Sequence, residues 1–268
     1  MSARSRVRLG ITPRVTAALA GCAVVGLAMV ARATDTVPTH AGSFDSAGVP
    51  IAYVEAGQGD PVVLVHGLYS SAETNWVRPG IFQMLAAHHR VIALDLRGHG
   101  QSGRPTDESA YGQPMVENVV RLMDHLHVPK AHVVGYSLGG IIAMKVMIDH
   151  PDRVISGTLG GMGWLRAGSF EQAIFERMGN RLAARTPAAC VHGIAKLAVT
   201  AAQLEQVKVP VEILVGDRDP CRRLYVEPLE RERPDWPVVV IGGAGHLNCI
   251  LKEQFRSGVA GWIDANAR

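Results

Sequence analysis

Three polar residues stand where acyl-transfer chemistry would need them: a serine between glycines, an aspartate ahead of a proline, and a histidine behind a glycine-rich turn. Ser137 lies in Gly135-Tyr136-Ser137-Leu138-Gly139-Gly140, after the apolar pair Val133-Val134 and before a run rich in Ile, Ala and Met. A G-x-S-x-G string is a modest signal by its letters. Its setting between a strand and a helix makes it a nucleophile elbow, a turn too tight for side chains beside the serine, which lifts the hydroxyl over the positive end of the helix. An alcohol is a weak nucleophile near neutral pH, so it needs an adjacent base, and the base needs a partner to hold its tautomer. Gly242-Gly243-Ala244-Gly245-His246 offers the base, and Gly216-Asp217-Arg218-Asp219-Pro220 offers two carboxylates for the partner.

The elements that must position these residues follow from hydrophobic periodicity. Strand-like runs recur at residues 44–46, 51–55, 62–66, 91–95, 132–135 and 154–159, with helix-like segments at 81–88, 116–125 and 138–149 between the later ones. Strand alternating with helix predicts an α/β fold with a mostly parallel central sheet and helices on both faces. The alternation stops between about 164 and 206, where no strand is expected and 169–184 and 188–204 read as helices. This predicts a small helical cap insertion inside one domain spanning 34–268. Runs at 211–215 and 238–241 resume the sheet, and 249–263 supplies a closing helix.

The chain order Ser, Asp, His is joined by His66-Gly67-Leu68 after the third predicted strand and Asp95-Leu96-Arg97-Gly98-His99-Gly100-Gln101-Ser102 after the fourth. Together they make residues 44–263 similar to the α/β-hydrolase fold superfamily, its serine-esterase-like members in particular. The resemblance implies that Ser137 is the nucleophile and His246 the general base, and its G-x-x-D-P pattern selects Asp219 over Asp217 as the acid. It maps the oxyanion hole onto the backbone N–H groups of Leu68 and Leu138, and it makes His66, Asp95, Arg97 and His99 braces of loops. It implies no cofactor and a small-molecule, ester-type substrate, with carboxylic ester hydrolysis through an acyl-enzyme as the expected reaction. A lactonase, a carbon–carbon bond hydrolase and a perhydrolase use the same three residues. A ligand-binding protein with little turnover is the alternative from outside enzymes. Tyr69, Met162 and Trp164, followed by Trp76 and Phe170, are candidates for a substrate pocket, though apolar side chains more often serve as core.

Composition bounds the rest. The net charge of +3 dissolves once Arg4, Arg6, Arg8, Arg14 and Arg32 are set aside, since the remainder carries 22 basic against 24 acidic residues. No nucleic-acid partner is implied. The basic start, the apolar run 15–30 and Ala31-Arg32-Ala33 read as a signal peptide over 1–33 with cleavage before Thr34, predicting export to the periplasm or medium. Sixteen helical residues reach about 24 Å, short of a roughly 30 Å hydrocarbon core, so a membrane association would come only through the N-terminus. Leu19-Ala20-Gly21-Cys22 resembles a lipobox and gives lipidation at Cys22 as that alternative. Cys190, Cys221 and Cys249 remain, and a Cys221–Cys249 bridge is weighed against two buried thiols. No metal-ligand spacing is apparent, and no metal is expected.

Overall fold

The structure, a computed structural model, describes residues 37–182 and 186–267. The predicted leader, its cleavage position and Cys22 lie outside the described residues. Eight strands, β1 (Thr39–Asp45), β2 (Pro50–Ala56), β3 (Pro61–Val65), β4 (Arg90–Leu94), β5 (Ala131–Tyr136), β6 (Val154–Gly160), β7 (Val211–Gly216) and β8 (Val238–Ile241), form one sheet in the order β1-β2-β4-β3-β5-β6-β7-β8. β1 and β2 are antiparallel to their neighbours, and every pairing from β4 to β8 is parallel.

The helices are α1 (Ile81–Ala86), α2 (Gln113–His125), α3 (Leu138–Asp149), α4 (Phe170–Leu182), α5 (Ala188–Ala195), α6 (Ala201–Glu205), α7 (Glu227–Glu232) and α8 (Glu253–Ala265). Side chains alternate across a strand, so neighbours in β3 serve different cores. Val63 and Val65 pack with α2 and α3 residues such as Met115, Val119 and Ile142. Val62 and Leu64 pack with Phe82 of α1 and Phe255 and Val259 of α8. Burial on both faces explains why the inner parallel strands β3 to β7 read as largely apolar runs, while β8 at the sheet edge leaves Val239 and Val240 exposed. The α/β prediction, with helices on both sides of a mostly parallel sheet, holds.

Three details differ from expectation. The stretch 188–204 is not one helix: α5 ends at Ala195, and Thr200 starts α6. The Thr200 hydroxyl accepts from the Gln203 N–H at 3.2 Å, and the Gln203 side chain accepts from the Thr200 N–H at 3.0 Å. This capping box satisfies the backbone locally and interrupts the helical run. Between the two helices Val199 makes a parallel bridge to Arg166, a single rung inside the region expected to lack any strand. The short α7, between β7 and β8, is an addition to the expected elements. Among the described residues no helix is long and apolar enough to cross a membrane.

One buried acid makes stability depend on pH. Glu212 of β7 is 4% exposed, and its Oε1 accepts from the Thr158 hydroxyl at 2.9 Å. Burial pushes its carboxyl from an ordinary 4.5 up to about 7, against the opposing effect of the Thr158 hydrogen bond. The folded chain therefore holds this proton more tightly than the unfolded chain, so stability falls as pH rises from about 4.5 through 7. The gap corresponds to about 3 kcal/mol. Glu212→Gln should flatten that fall, and urea unfolding of both proteins between roughly pH 4 and pH 8 measures it. Parallel pH curves for the two proteins would contradict this account.

Candidate active site

β5 delivers its chain end at Tyr136, and Ser137 follows with φ 55° and ψ −117°, a left-handed conformation costly for a residue with a side chain. Its surroundings hold it there. The Ser137 N–H donates to the Gly160 carbonyl at 2.8 Å, and its own carbonyl accepts from Gly140 at 2.8 Å. The flanking glycines are sterically required: a Cβ on Gly135 would lie 2.1 Å from the Gly139 carbonyl oxygen, and one on Gly139 would lie 2.0 Å from that of Val65. The 12-residue α3 starts at Leu138, whose N–H therefore has no acceptor within the helix and is available to a ligand.

The two partners arrive on loops after β7 and β8. His246 Nε2 lies 2.9 Å from Ser137 Oγ, and His246 Nδ1 lies 2.9 Å from Asp219 Oδ2. A carboxylate can only accept, so Nδ1 carries the proton and Nε2 is the acceptor facing the serine hydroxyl. Asp219 is buried, and its other oxygen accepts from the Cys221 N–H at 2.8 Å. Asp217 does a different job. It is exposed, and its Oδ1 accepts from the Ala244 N–H at 3.0 Å, tying the loop that carries His246 to the end of β7. Backbone hydrogen bonds from the Gly243 and Ala244 N–H groups hold its carboxyl below the usual carboxylate range. The structure thus brings Ser137, Asp219 and His246 into one hydrogen-bonded line and leaves Asp217 outside it.

The predicted oxyanion loop lies against the serine. A Cβ on Gly67 would sit 3.1 Å from Ser137 Cβ, so the Gly67 backbone packs directly against Ser137. The loop is braced from three sides. His66 Nε2 accepts from the Leu96 N–H at 3.0 Å, which places the proton on Nδ1, where it donates to the Gly67 carbonyl at 2.7 Å. Burial keeps His66 well below an ordinary histidine pKa, hence neutral. Asp95 accepts from the Ala72 and Gln101 N–H groups at 2.8 and 2.7 Å, and Arg97 donates to the Ala110 carbonyl at 2.7 Å and the Asn118 side chain at 2.7 Å. His99 sits beside the Arg97 carbonyl at 3.2 Å, and burial lowers its pKa to about 4. Two supports have no signal in the sequence: Asn75 Oδ1 accepts from the Gly67 N–H at 2.9 Å, and the Tyr136 hydroxyl donates to the His246 carbonyl. A lone asparagine and a tyrosine beside a serine are too common to mark.

Residues 60–189 match the family profile described as the alpha/beta hydrolase fold. This chain has the α/β-hydrolase fold. Among relatives, the RutD protein of Azorhizobium caulinodans, whose name assigns it carbamate hydrolysis, is 36% identical over 152 residues, covering 57% of this chain and 54% of that protein. The chain thus spans about half the length of that relative. Among solved structures, a carboxylesterase of the thaumarchaeon Nitrososphaera gargenis superposes with a TM-score of 0.69 at 20% identity, covering 84% of this chain and 98% of the other. A bacterial membrane phospholipase A superposes with a TM-score of 0.68 at 25% identity, covering 86% of each.

Within this hydrolase fold the predicted pocket residues separate. Tyr69 follows Leu68 directly, is 38% exposed and has a positive φ of 61°, so it lies at the surface beside the oxyanion loop. Met162 is buried against Gly140. Trp164 is buried with its indole N–H donating to the Val199 carbonyl at 2.8 Å, tying the strand-end segment to the cap helices. Trp76 is fully buried in the core on the α1 and α8 side, and Phe170 is 75% exposed at the start of α4. A cavity of about 480 Å³ beside β1 and β2, lined by Ala41, Tyr53, Ala72, Val77 and Asp95, does not include Ser137. Cys190, Cys221 and Cys249 are all free thiols, so the weighed Cys221–Cys249 bridge is not formed. Burial, reinforced by the Asp219 carboxylate, pushes the Cys221 and Cys249 thiols up to about 12, which keeps both protonated near neutral pH. Asp219, Cys221 and His246 are a set of described side chains whose ligand atoms converge closely enough for a metal ion.

Proposed function

We propose that this chain is a serine hydrolase that cleaves carboxylic esters of small or medium substrates through an acyl-enzyme. The reading is carried by the line from Ser137 Oγ through His246 to Asp219, with both hydrogen bonds at 2.9 Å. His246 Nε2 takes the serine proton as Oγ attacks the ester carbonyl, and the imidazolium that forms is balanced by the buried Asp219 carboxylate. The developing oxyanion is received by the Leu68 and Leu138 N–H groups, each such donor contributing about 2.7–4 kcal/mol to the transition state. His246 returns its proton to the leaving alcohol, and water activated in the same way releases the acid. Tyr69, one residue past Leu68 and 38% exposed, is the candidate to meet the substrate, whereas Met162 and Trp164 are buried core side chains. The carbonyl of a carbamate presents the same geometry to Ser137, which makes the similarity to RutD a reason to include carbamates among substrates.

A fluorophosphonate probe should label Ser137 stoichiometrically, and the same preparation should turn over p-nitrophenyl esters of graded acyl length in a panel that also holds lactones and carbamates. Mass spectrometry placing the label on another residue, or finding none on protein that hydrolyses the esters, would overturn the assignment. Preferential turnover of lactones or carbamates would keep the mechanism and replace the substrate class.

A further inference from the structure

We propose that Asp219, Cys221 and His246 form a binding site for one thiophilic divalent cation of the zinc type, and that its occupancy switches off the serine centre. Cation binding goes beyond the hydrolase reading, and only the inhibition rests on it. One carboxylate oxygen, the Cys221 sulfur and a His246 ring nitrogen all lie within 4.8 Å of one another. Thiolate, imidazole and carboxylate are the donor set that zinc-type ions favour. Zinc holds sulfur at about 2.3 Å and nitrogen or oxygen at about 2.0–2.2 Å, so tetrahedral ligands sit roughly 3.3–3.7 Å apart. The 2.9 Å separation of Asp219 Oδ2 from His246 Nδ1 must therefore open slightly while the sulfur closes in, a movement within reach of side-chain rotation.

The backbone prepares the pair from one turn. The Cys221 N–H donates to Asp219 Oδ1, which leaves Oδ2 and the thiol to converge on the histidine that comes from the other loop. The Asp219 side chain is shut off from solvent, whereas that of His246 is 27% exposed and Cys221 is partly exposed. An ion enters from that open side, and water completes its fourth position. On binding, the Cys221 thiol releases one proton to solvent, and His246 moves its proton from Nδ1 to Nε2, so that the Nδ1 lone pair reaches the cation. One carboxylate and one thiolate then neutralise the two positive charges. An Nε2 that carries a proton no longer accepts one from Ser137, and the hydroxyl stays unactivated.

The test uses the full, reduced chain titrated with Cd²⁺, read by the ultraviolet cadmium–thiolate charge-transfer band, which does not depend on activity. One equivalent should saturate the band. It should vanish in both Cys221→Ser and Cys221→Ala, and Asp219→Asn should weaken binding at least about tenfold, the loss typical when even an outer partner of a metal site is removed. Cys22→Ser, Cys190→Ser and Cys249→Ser should keep it. Zn²⁺ should block fluorophosphonate labelling of Ser137, and a chelator should restore it. A band that survives loss of Cys221 would overturn the site, and unhindered labelling at saturating Zn²⁺ would overturn the switch. A Cys221-dependent band on protein whose Ser137 takes no label would support the cation site while sinking the hydrolase reading.

Discussion

Ser137→Ala and His246→Ala should each lower kcat on p-nitrophenyl esters by about six orders of magnitude, the loss measured when either member of such a unit is removed elsewhere. The expectation rests on a single hydrogen bond. Ser137 Oγ and His246 Nε2 are 2.9 Å apart, and His246 Nδ1 is committed to Asp219, so the ring has one acceptor and it faces the serine. Removing the hydroxyl leaves the base nothing to deprotonate, and removing the ring leaves the hydroxyl as an ordinary alcohol. The double variant should therefore be no worse than either single one, because both remove the same step. Losses that multiply in the double variant would mean that the two residues act separately. Folding should be retained in both, since the turn that strains Ser137 is imposed by Gly135, Gly139 and the hydrogen bond to Gly160 rather than by the serine hydroxyl.

Asp219→Asn should lower kcat by about four orders of magnitude, whereas Asp217→Asn should stay within severalfold. The direction follows from the two oxygens of Asp219. Oδ1 accepts from the Cys221 N–H at 2.8 Å, and Oδ2 accepts from His246 Nδ1. An asparagine keeps its one carbonyl oxygen on the backbone donor and turns its amide NH₂ toward His246. A donor facing Nδ1 forces the ring proton to Nε2, the tautomer that cannot serve as base. At position 217 the group that matters is one acceptor for the Ala244 N–H, and asparagine retains it. Equal losses at the two positions, or the larger loss at 217, would reassign the acid.

Both expectations concern residues that the sequence marks, yet with unequal sharpness. β3, β4, β5, β6 and β7 are legible because they are buried on both faces, so nearly every residue in them is apolar and the runs stand out from the amphipathic helices between. The bounds of α3 are legible because Ser137 and its glycines mark the start. The break after α5 is not, since Ala188–Ala195 continues into residues that suit a helix, and only the capping box at Thr200 and the bridge from Val199 to Arg166 decide against it.

What the sequence determines by itself is whatever local sterics and periodicity encode: an alternating α/β order, the strained turn at Ser137, and glycines at 135 and 139 where no Cβ fits. The G-x-x-D-P resemblance favours Asp219 over Asp217 without supplying the physical reason. The tertiary structure separates them, because the path of the loop after β7 buries one carboxylate against His246 and leaves the other at the surface. Tyr136 holding the His246 carbonyl across 110 positions likewise depends on where distant segments meet, whereas Asn75 holds Gly67 from eight residues away, through the helical turn Glu73–Val77 that follows the loop. The convergence of Cys221 on Asp219 and His246 is of the same kind as the Tyr136 contact: 221 and 246 carry no metal-ligand spacing, and only the packing of two loops at the end of a parallel sheet brings sulfur, nitrogen and oxygen within one ion's reach.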